Sequence, residues 1–109
     1  MNSGTKYGLD NDAINQIISV LTENSKINEV ILFGSRAKGN FRNGSDVDLS
    51  LIGKKLQLND VLNASIAIDD LSLPYKFDIV IYDRITEKAL IDHINRIGIV
   101  LFDRNNPAV

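Results

Sequence analysis

Glu29-Val-Ile-Leu-Phe33, then Gly34-Ser-Arg-Ala-Lys-Gly39, then Asp46-Val-Asp-Leu-Ser-Leu-Ile52 decide how this chain folds, with ten residues separating Gly34-Ser35 from Asp46. The first segment is a short apolar run rich in β-branched residues that stops at a glycine, which favours a buried strand. The second turns the chain at once into a short turn or helix. In the third, Val47, Leu49 and Leu51 alternate with Asp46, Asp48 and Ser50, the period of two that defines a strand. Both carboxylates therefore leave one face of it. Between the two strands lies Asn43-Gly44, a turn dipeptide whose residues tolerate positive φ.

Working outward, Ile14, Ile17, Ile18 and Leu21 recur at helical spacing behind the possible caps Asp10 and Asp12, predicting a helix over about Asn11 to Asn24. Leu58, Val61, Leu62 and Ile66 suggest a second helix from about Asn59 to Leu71, with Asn59 as its cap. Ser72-Leu-Pro74 ends it, and Lys76-Phe-Asp-Ile-Val-Ile-Tyr82 reads as a third strand with Asp78 as its one acid. Thr86 caps a last helix running to Arg96, with Leu90, Ile91, Ile94 and Ile97 as its face, and Gly98-Ile-Val-Leu-Phe102 makes a fourth strand. The expected fold is α/β or α+β: a mixed sheet of about four strands, helices mainly on one side, and a cleft where the Gly34-Ser35 turn meets the acidic strands. One domain spans 1–109, with its core over about 12–102 and a polar tail over 103–109; there is no internal repeat.

Composition narrows the function. Twelve basic and 14 acidic residues give a net charge of -2, so no overall positive field draws the chain to long nucleic acid or to an anionic membrane. Cysteine is absent, which removes thiolate catalysis, disulfides and zinc-cysteine sites. Met1–Asp12 is polar and no apolar run is long enough to span a bilayer, so a cytoplasmic location is expected.

Ionised aspartate within strands that otherwise read as apolar is costly unless its charge is compensated. Two carboxylates two residues apart on a strand lie roughly 6.5 Å apart along it and can bracket one or two hard cations. Magnesium suits such a set, since it takes a few carboxylates together with water and substrate phosphates, whereas zinc recruits His or Cys. The plainer alternative is that Asp46 caps a turn after Ser45, Asp48 faces solvent, and Asp78 pairs with Lys76 or Arg84.

Gly34-Ser35 with Arg36 and Lys38 suits a triphosphate: glycine permits close approach, backbone N–H groups and the Ser35 hydroxyl donate, and the two cations offset charge. An ordinary turn carrying a solvated basic face is the alternative. The joint pattern Gly-Ser, ten residues, Asp-x-Asp would arise by accident in roughly one or two chains per thousand of this length. His93, the single histidine, lies between Ile91 and Ile94 and reads as a satisfied or solvent-facing helical residue rather than a catalytic one. Tyr75, Phe77 and Tyr82 read as sheet and core residues rather than a base-stacking platform.

Gly34-Ser35, the ten-residue interval, Asp46-Val47-Asp48 and Asp78 on a later strand resemble the signature of the DNA polymerase beta-like nucleotidyltransferases. The resemblance spans about residues 12–102 and is to their minimal, stand-alone MNT members, many of them antitoxins paired with HEPN-domain toxins. It implies that Asp46 and Asp48 hold two magnesium ions. It also implies that Asp78 shares one of them and assists deprotonation of the attacking group, and that Ser35 contacts the triphosphate. Lys38 stands where larger relatives place a phosphate-binding arginine, a task Arg36 could share. The implied reaction moves AMP from ATP to a hydroxyl on a partner HEPN toxin, with no side chain of this protein covalently modified. A non-enzymatic antitoxin and a nucleotide-sensing subunit are the other classes, and homo- or hetero-oligomers fit any of the three.

Overall fold

The computed structural model describes residues 4–106. Residues 107–109 of the expected tail lie outside the described residues. The elements run β1 (Thr5–Lys6), β2 (Leu9–Asp10), α1 (Asn11–Leu21), β3 (Glu29–Phe33), α2 (Gly34–Lys38), β4 (Val47–Ile52) and α3 (Leu58–Asp69). After these come β5 (Phe77–Ile81), a 3-10 turn at Tyr82–Arg84, α4 (Lys88–Ile97) and β6 (Ile99–Asp103).

The main sheet has the order β5-β4-β3-β6. Strand β3 pairs antiparallel with β4 and β6, and β4 pairs parallel with β5, which gives the mixed sheet of the expected α+β class. Val30, Leu32, Val47, Leu49 and Leu51 turn one way and are buried with Ile17 and Leu21 of α1 and Ile68 of α3. That face carries two helices. Helix α4 lies against the other, where Gly98 at its end abuts Ile31 and Ile94 is buried.

Several local features differ from expectation. The start of the chain, outside the expected core, forms a small hairpin, β1 with β2, turned by Tyr7 and Gly8 at φ 59° and 74°, the two positive values that a two-residue type I′ loop needs. Helix α3 begins after Gln57, not Asn59, and the Asp60 carboxylate accepts the Gln57 N–H at 2.7 Å, half of a capping box. Its inward residues are Asp60, Ala64 and Ile68, while Leu58, Leu62 and Ile66 are exposed. Of the apolar residues whose spacing marks the helix, Val61 packs against the core and the other three do not, while a buried aspartate held by Lys26 at 2.8 Å and Asn24 at 2.9 Å takes an inward position. Helix α4 is capped at Glu87 rather than Thr86.

At the other end, Asp103 completes β6 rather than starting a tail. Arg104 then donates to the Ile27 carbonyl from Nη2 at 2.9 Å and Nε at 3.1 Å, pinning that end beside the loop that enters β3.

Candidate active site

Three register positions build the site. Phe33 is opposite Asp48 across the antiparallel β3-β4 pair, and Asp48 is beside Asp78 across the parallel β4-β5 pair. Residues opposite one another in register point to the same face, so Phe33, Asp48 and Asp78 form a row on the face that α4 partly covers. Asp46 stands immediately before β4, two residues from Asp48 and thus on its side. The sequence spacing of the first two acids and the separate strand of the third converge on one patch.

Burial of this row is graded. Asp48 is half-buried, and Asp46 and Asp78 are exposed. Among the described residues the ion pairs are Lys26–Asp60 and Arg96–Asp92, so none of the three acids is neutralised by a base. Neither Lys76 nor Arg84 pairs with Asp78, contrary to the plainer alternative. The Asp48 carboxyl is pushed up to about 6 by burial first, then by the charges of Asp78 and Asp46, against a smaller lowering by Arg36. An acid crowded by acids, with no base to neutralise it, is an arrangement that an added cation stabilises.

Gly34 completes the geometry. It has φ 76°, and a Cβ there would overlap Oδ2 of Asp48. Glycine is required twice, for the left-handed backbone and for the carboxylate lying against its Cα. Ser35 is half-buried and Lys38 exposed, and neither side chain has a hydrogen bond or ion pair within the described residues. Gly39 caps α2 at φ 95° and donates to the Ser35 carbonyl at 2.9 Å.

Arg36 does something other than expected. It is 4% exposed, and its guanidinium donates to the Ser45 carbonyl from Nε at 3.2 Å and Nη2 at 2.8 Å, and to the Tyr7 carbonyl from Nη1 at 3.0 Å. The rings of Phe41 and Tyr75 flank it at 5.4 and 5.5 Å. A buried cation must find partners for its donors, and here they are backbone carbonyls. Arg36 thus ties the N-terminal hairpin to Ser45, the residue before Asp46, and takes no part in the phosphate-binding set proposed below. A guanidinium drawn inward by two aromatics and a hairpin has no local sequence signature.

His93 is satisfied, as the helical pattern implies, but its partner is inside the motif: the Gly34 N–H donates to Nε2 at 2.9 Å. Its helical phase offered the signal, since Leu90, His93, Ile94 and Ile97 follow the i, i+3, i+4, i+7 spacing of an inward face. The aromatics set aside are structural. Tyr75 stacks edge-on with Phe77 at 6.5 Å, and the Tyr82 hydroxyl donates to Asn95 Oδ1 at 2.7 Å.

The donor set fits a hard divalent ion. It is all oxygen and unpaired, there is no cysteine, and the nearby imidazole nitrogen is occupied by Gly34. Among the described residues no group of three or more His, Cys, Asp or Glu is gathered closely enough to hold a metal ion, so the three acids share a face without forming a closed ligand cluster, and an ion there would need water and substrate phosphate to complete its shell.

The family model "Polymerase beta, Nucleotidyltransferase" matches residues 15–107, and the chain belongs to that family. It is a nucleotidyltransferase, a class that typically uses divalent metals. Among solved structures it is similar to a toxin-antitoxin with AMP-PNP, at 23% identity and a TM-score of 0.69, over 83% of this chain and 73% of that one. It is also similar to a chain in the complex of a tri-AMPylated Shewanella oneidensis HEPN toxin with MNT antitoxin, at 20% identity and a TM-score of 0.64, over 86% and 72%. A third likeness, to the toxin-antitoxin MntA-HepT, has 20% identity and a TM-score of 0.63, over 86% and 73%. These are likenesses of fold. Comparison with curated proteins gives no match. Among the described residues no helix is long and apolar enough to cross a membrane.

Proposed function

We propose that the protein transfers AMP from ATP to a hydroxyl of a HEPN-domain partner protein and so acts as its antitoxin. The observation that carries this is the row of half-buried Asp48 and exposed Asp78 in parallel register, both without an ion-pair partner among the described residues, beside a Gly34-Ser35 corner in contact with Asp48. The toxin-antitoxin neighbours, one holding AMP-PNP and one an AMPylated HEPN toxin, support the choice of nucleotide and acceptor.

In this reading Asp46, Asp48 and Asp78 hold two magnesium ions, and Gly34, Ser35 and Lys38 take the triphosphate. The ions, when bound, neutralise charge on the attacking and leaving oxygens of the α-phosphorus. Ser35 donates its hydroxyl to a phosphate oxygen, and Lys38 sets a mobile point charge against the pyrophosphate end. Asp78, on the outer strand of the row, accepts the proton of the incoming hydroxyl. A bond forms from that oxygen to the α-phosphorus as the bond to pyrophosphate breaks, so the acceptor gains AMP and pyrophosphate departs. The reaction is a displacement without oxidation, and no residue of this chain is consumed.

The test is co-expression with a HEPN-domain protein encoded beside it, followed by intact mass measurement. The partner should gain about 329 Da per AMP, the group whose transfer is proposed, with the wild type and not with Asp78→Asn. Neutralisation of the partner without added mass, equally by Asp78→Asn, would favour the non-enzymatic antitoxin.

A further inference from the structure

Helix α2 has five residues, too few to hold themselves in place by helical hydrogen bonding. It begins at a glycine, the residue that gives up most freedom on ordering, and the first N–H groups of any helix have no partner within it. Here one such group has a partner from a distant element. The Gly34 N–H donates to Nε2 of His93, 59 residues further on, at 2.9 Å. A backbone N–H only donates, so Nε2 is the unprotonated nitrogen and the imidazole proton resides on Nδ1. The ring is itself steadied by Phe33, edge to face at 6.2 Å and 78°.

On its other side Gly34 meets Asp48 Oδ2. The glycine is therefore held between an imidazole from α4, on its nitrogen, and a carboxylate from β4, against its Cα. Two elements far apart in sequence thus meet at one backbone unit, the one that leads into Ser35. A corner ordered in advance does not draw on ligand binding energy for its own ordering.

We propose that His93 is a positioning residue for the triphosphate: by accepting the Gly34 N–H it preorganises the Gly34-Ser35 corner against Asp48. The inference rests on the reading that this corner receives the triphosphate. It gives α4 a task beyond covering the sheet, and gives the histidine a task other than acid-base chemistry.

The test separates the ring from its acceptor. His93→Phe keeps an aromatic body against Phe33 and removes the acceptor, whereas His93→Gln keeps an amide oxygen at comparable reach. Titration calorimetry of the magnesium-supplemented protein should show about tenfold weaker ATP binding for His93→Phe, with AMP binding within about twofold of wild type, because the ordering penalty falls on the corner that meets the outer phosphates. His93→Gln should restore most of the loss.

In the wild type, the 15N resonance of Nε2 should be that of an unprotonated, hydrogen-bonded nitrogen and should move on ATP addition, a measurement that needs no variant to fold. Unchanged ATP affinity in His93→Phe, equal losses in the Phe and Gln variants, or an Nε2 signal indifferent to ATP would each overturn the proposal. Ser35→Ala is the parallel arm. If it weakens ATP binding while His93→Phe does not, the positioning role alone fails; if Ser35→Ala has no effect on ATP affinity, the cradle reading fails and takes this proposal with it.

Discussion

Asp48 on β4 and Asp78 on β5 are register partners in a parallel pair of strands, so two carboxylates leave the same sheet face side by side with no base between them. The consequence is electrostatic. The Asp48 carboxyl titrates at about 6 instead of its ordinary 3.8, so between those values the folded protein keeps a proton that the unfolded chain has shed. Stability without metal therefore falls as pH rises through about 4 to 6. The size should be on the order of 1 kcal/mol, well below the unscreened value, because solvent reaches this half-buried carboxylate. A divalent cation favours the deprotonated form and reverses the trend. Magnesium should raise the melting temperature more at about pH 7.5 than at about pH 5, and binding should release protons near pH 6. Equal magnesium stabilisation at both pH values would count against Asp48 as a ligand.

Replacing Asp46 or Asp48 by Asn removes a charge with little change in volume, at positions exposed or half-buried and unpaired. Transfer should fall by at least about a thousandfold, in keeping with the weight of electrostatic stabilisation in such reactions. Circular dichroism should barely move, and Asp48→Asn should melt no lower than wild type in the absence of metal, since it relieves repulsion. Retained transfer in the double variant would remove both residues from the metal site.

Arg36 leads to a different expectation. Its three carbonyl contacts and 4% exposure make it part of the scaffold, and hydrogen bonds to a charged group contribute about 1.5–3 kcal/mol. Arg36→Ala should therefore cost about 3 kcal/mol or more in urea unfolding, because the Ser45 and Tyr7 carbonyls also lose their partner. Arg36→Lys should recover little, since one ammonium cannot reproduce the fork that spans the two carbonyls. A variant with unaltered stability and selectively weakened triphosphate binding would return Arg36 to the phosphate set.

This residue also marks where sequence reading stops. Strand β3 came out of the pattern with its bounds intact, and β4 to within one residue, because an apolar run closed by glycine and a strict alternation are local signals. Asp46, Asp48 and Asp78 were legible as candidates for a related reason: each is an uncompensated charge in, or at the edge of, an apolar strand. Their convergence depends on the β4-β5 register, which no local pattern encodes. Arg36 and Lys38 look alike in the sequence, two cations in one short turn, and only the packing of Tyr7, Phe41 and Tyr75 separates them. The inward face of α3 was missed for a similar reason, since Asp60 occupies a core position held by Lys26 and Asn24 from another loop.

The side chains of Ser35 and Lys38 have no hydrogen bond or ion pair among the described residues, so their substitution should leave the fold undisturbed. Their proposed contacts are to the outer phosphates. Ser35→Ala and Lys38→Ala should each weaken ATP binding by at least about tenfold, since one hydrogen bond to a charged group contributes about 1.5–3 kcal/mol and about 1.4 kcal/mol is tenfold. AMP binding should hardly change. Equal losses for both nucleotides in calorimetry would place these side chains elsewhere than at the β and γ groups.

Gly34 and Gly39 bracket α2 and allow the close contact with Asp48 to be measured against a built-in control. Both have positive φ, 76° and 95°, so an alanine at either position bears the left-handed penalty of about 1–2 kcal/mol. The surroundings differ. A Cβ on Gly39 meets nothing within 4 Å, whereas one on Gly34 falls on Asp48 Oδ2. Gly39→Ala should therefore lower stability by that conformational cost and leave magnesium and ATP binding nearly intact. Gly34→Ala should cost at least as much in stability and also displace the carboxylate at the centre of the acidic row, weakening magnesium-dependent ATP binding by at least about tenfold beyond the control, the effect expected when a site group is moved by part of an ångström. Isothermal titration of both variants, with unfolding curves for each, isolates the two contributions. If the two alanines weaken ATP binding equally, the approach of Gly34 to Asp48 has no part in shaping the site.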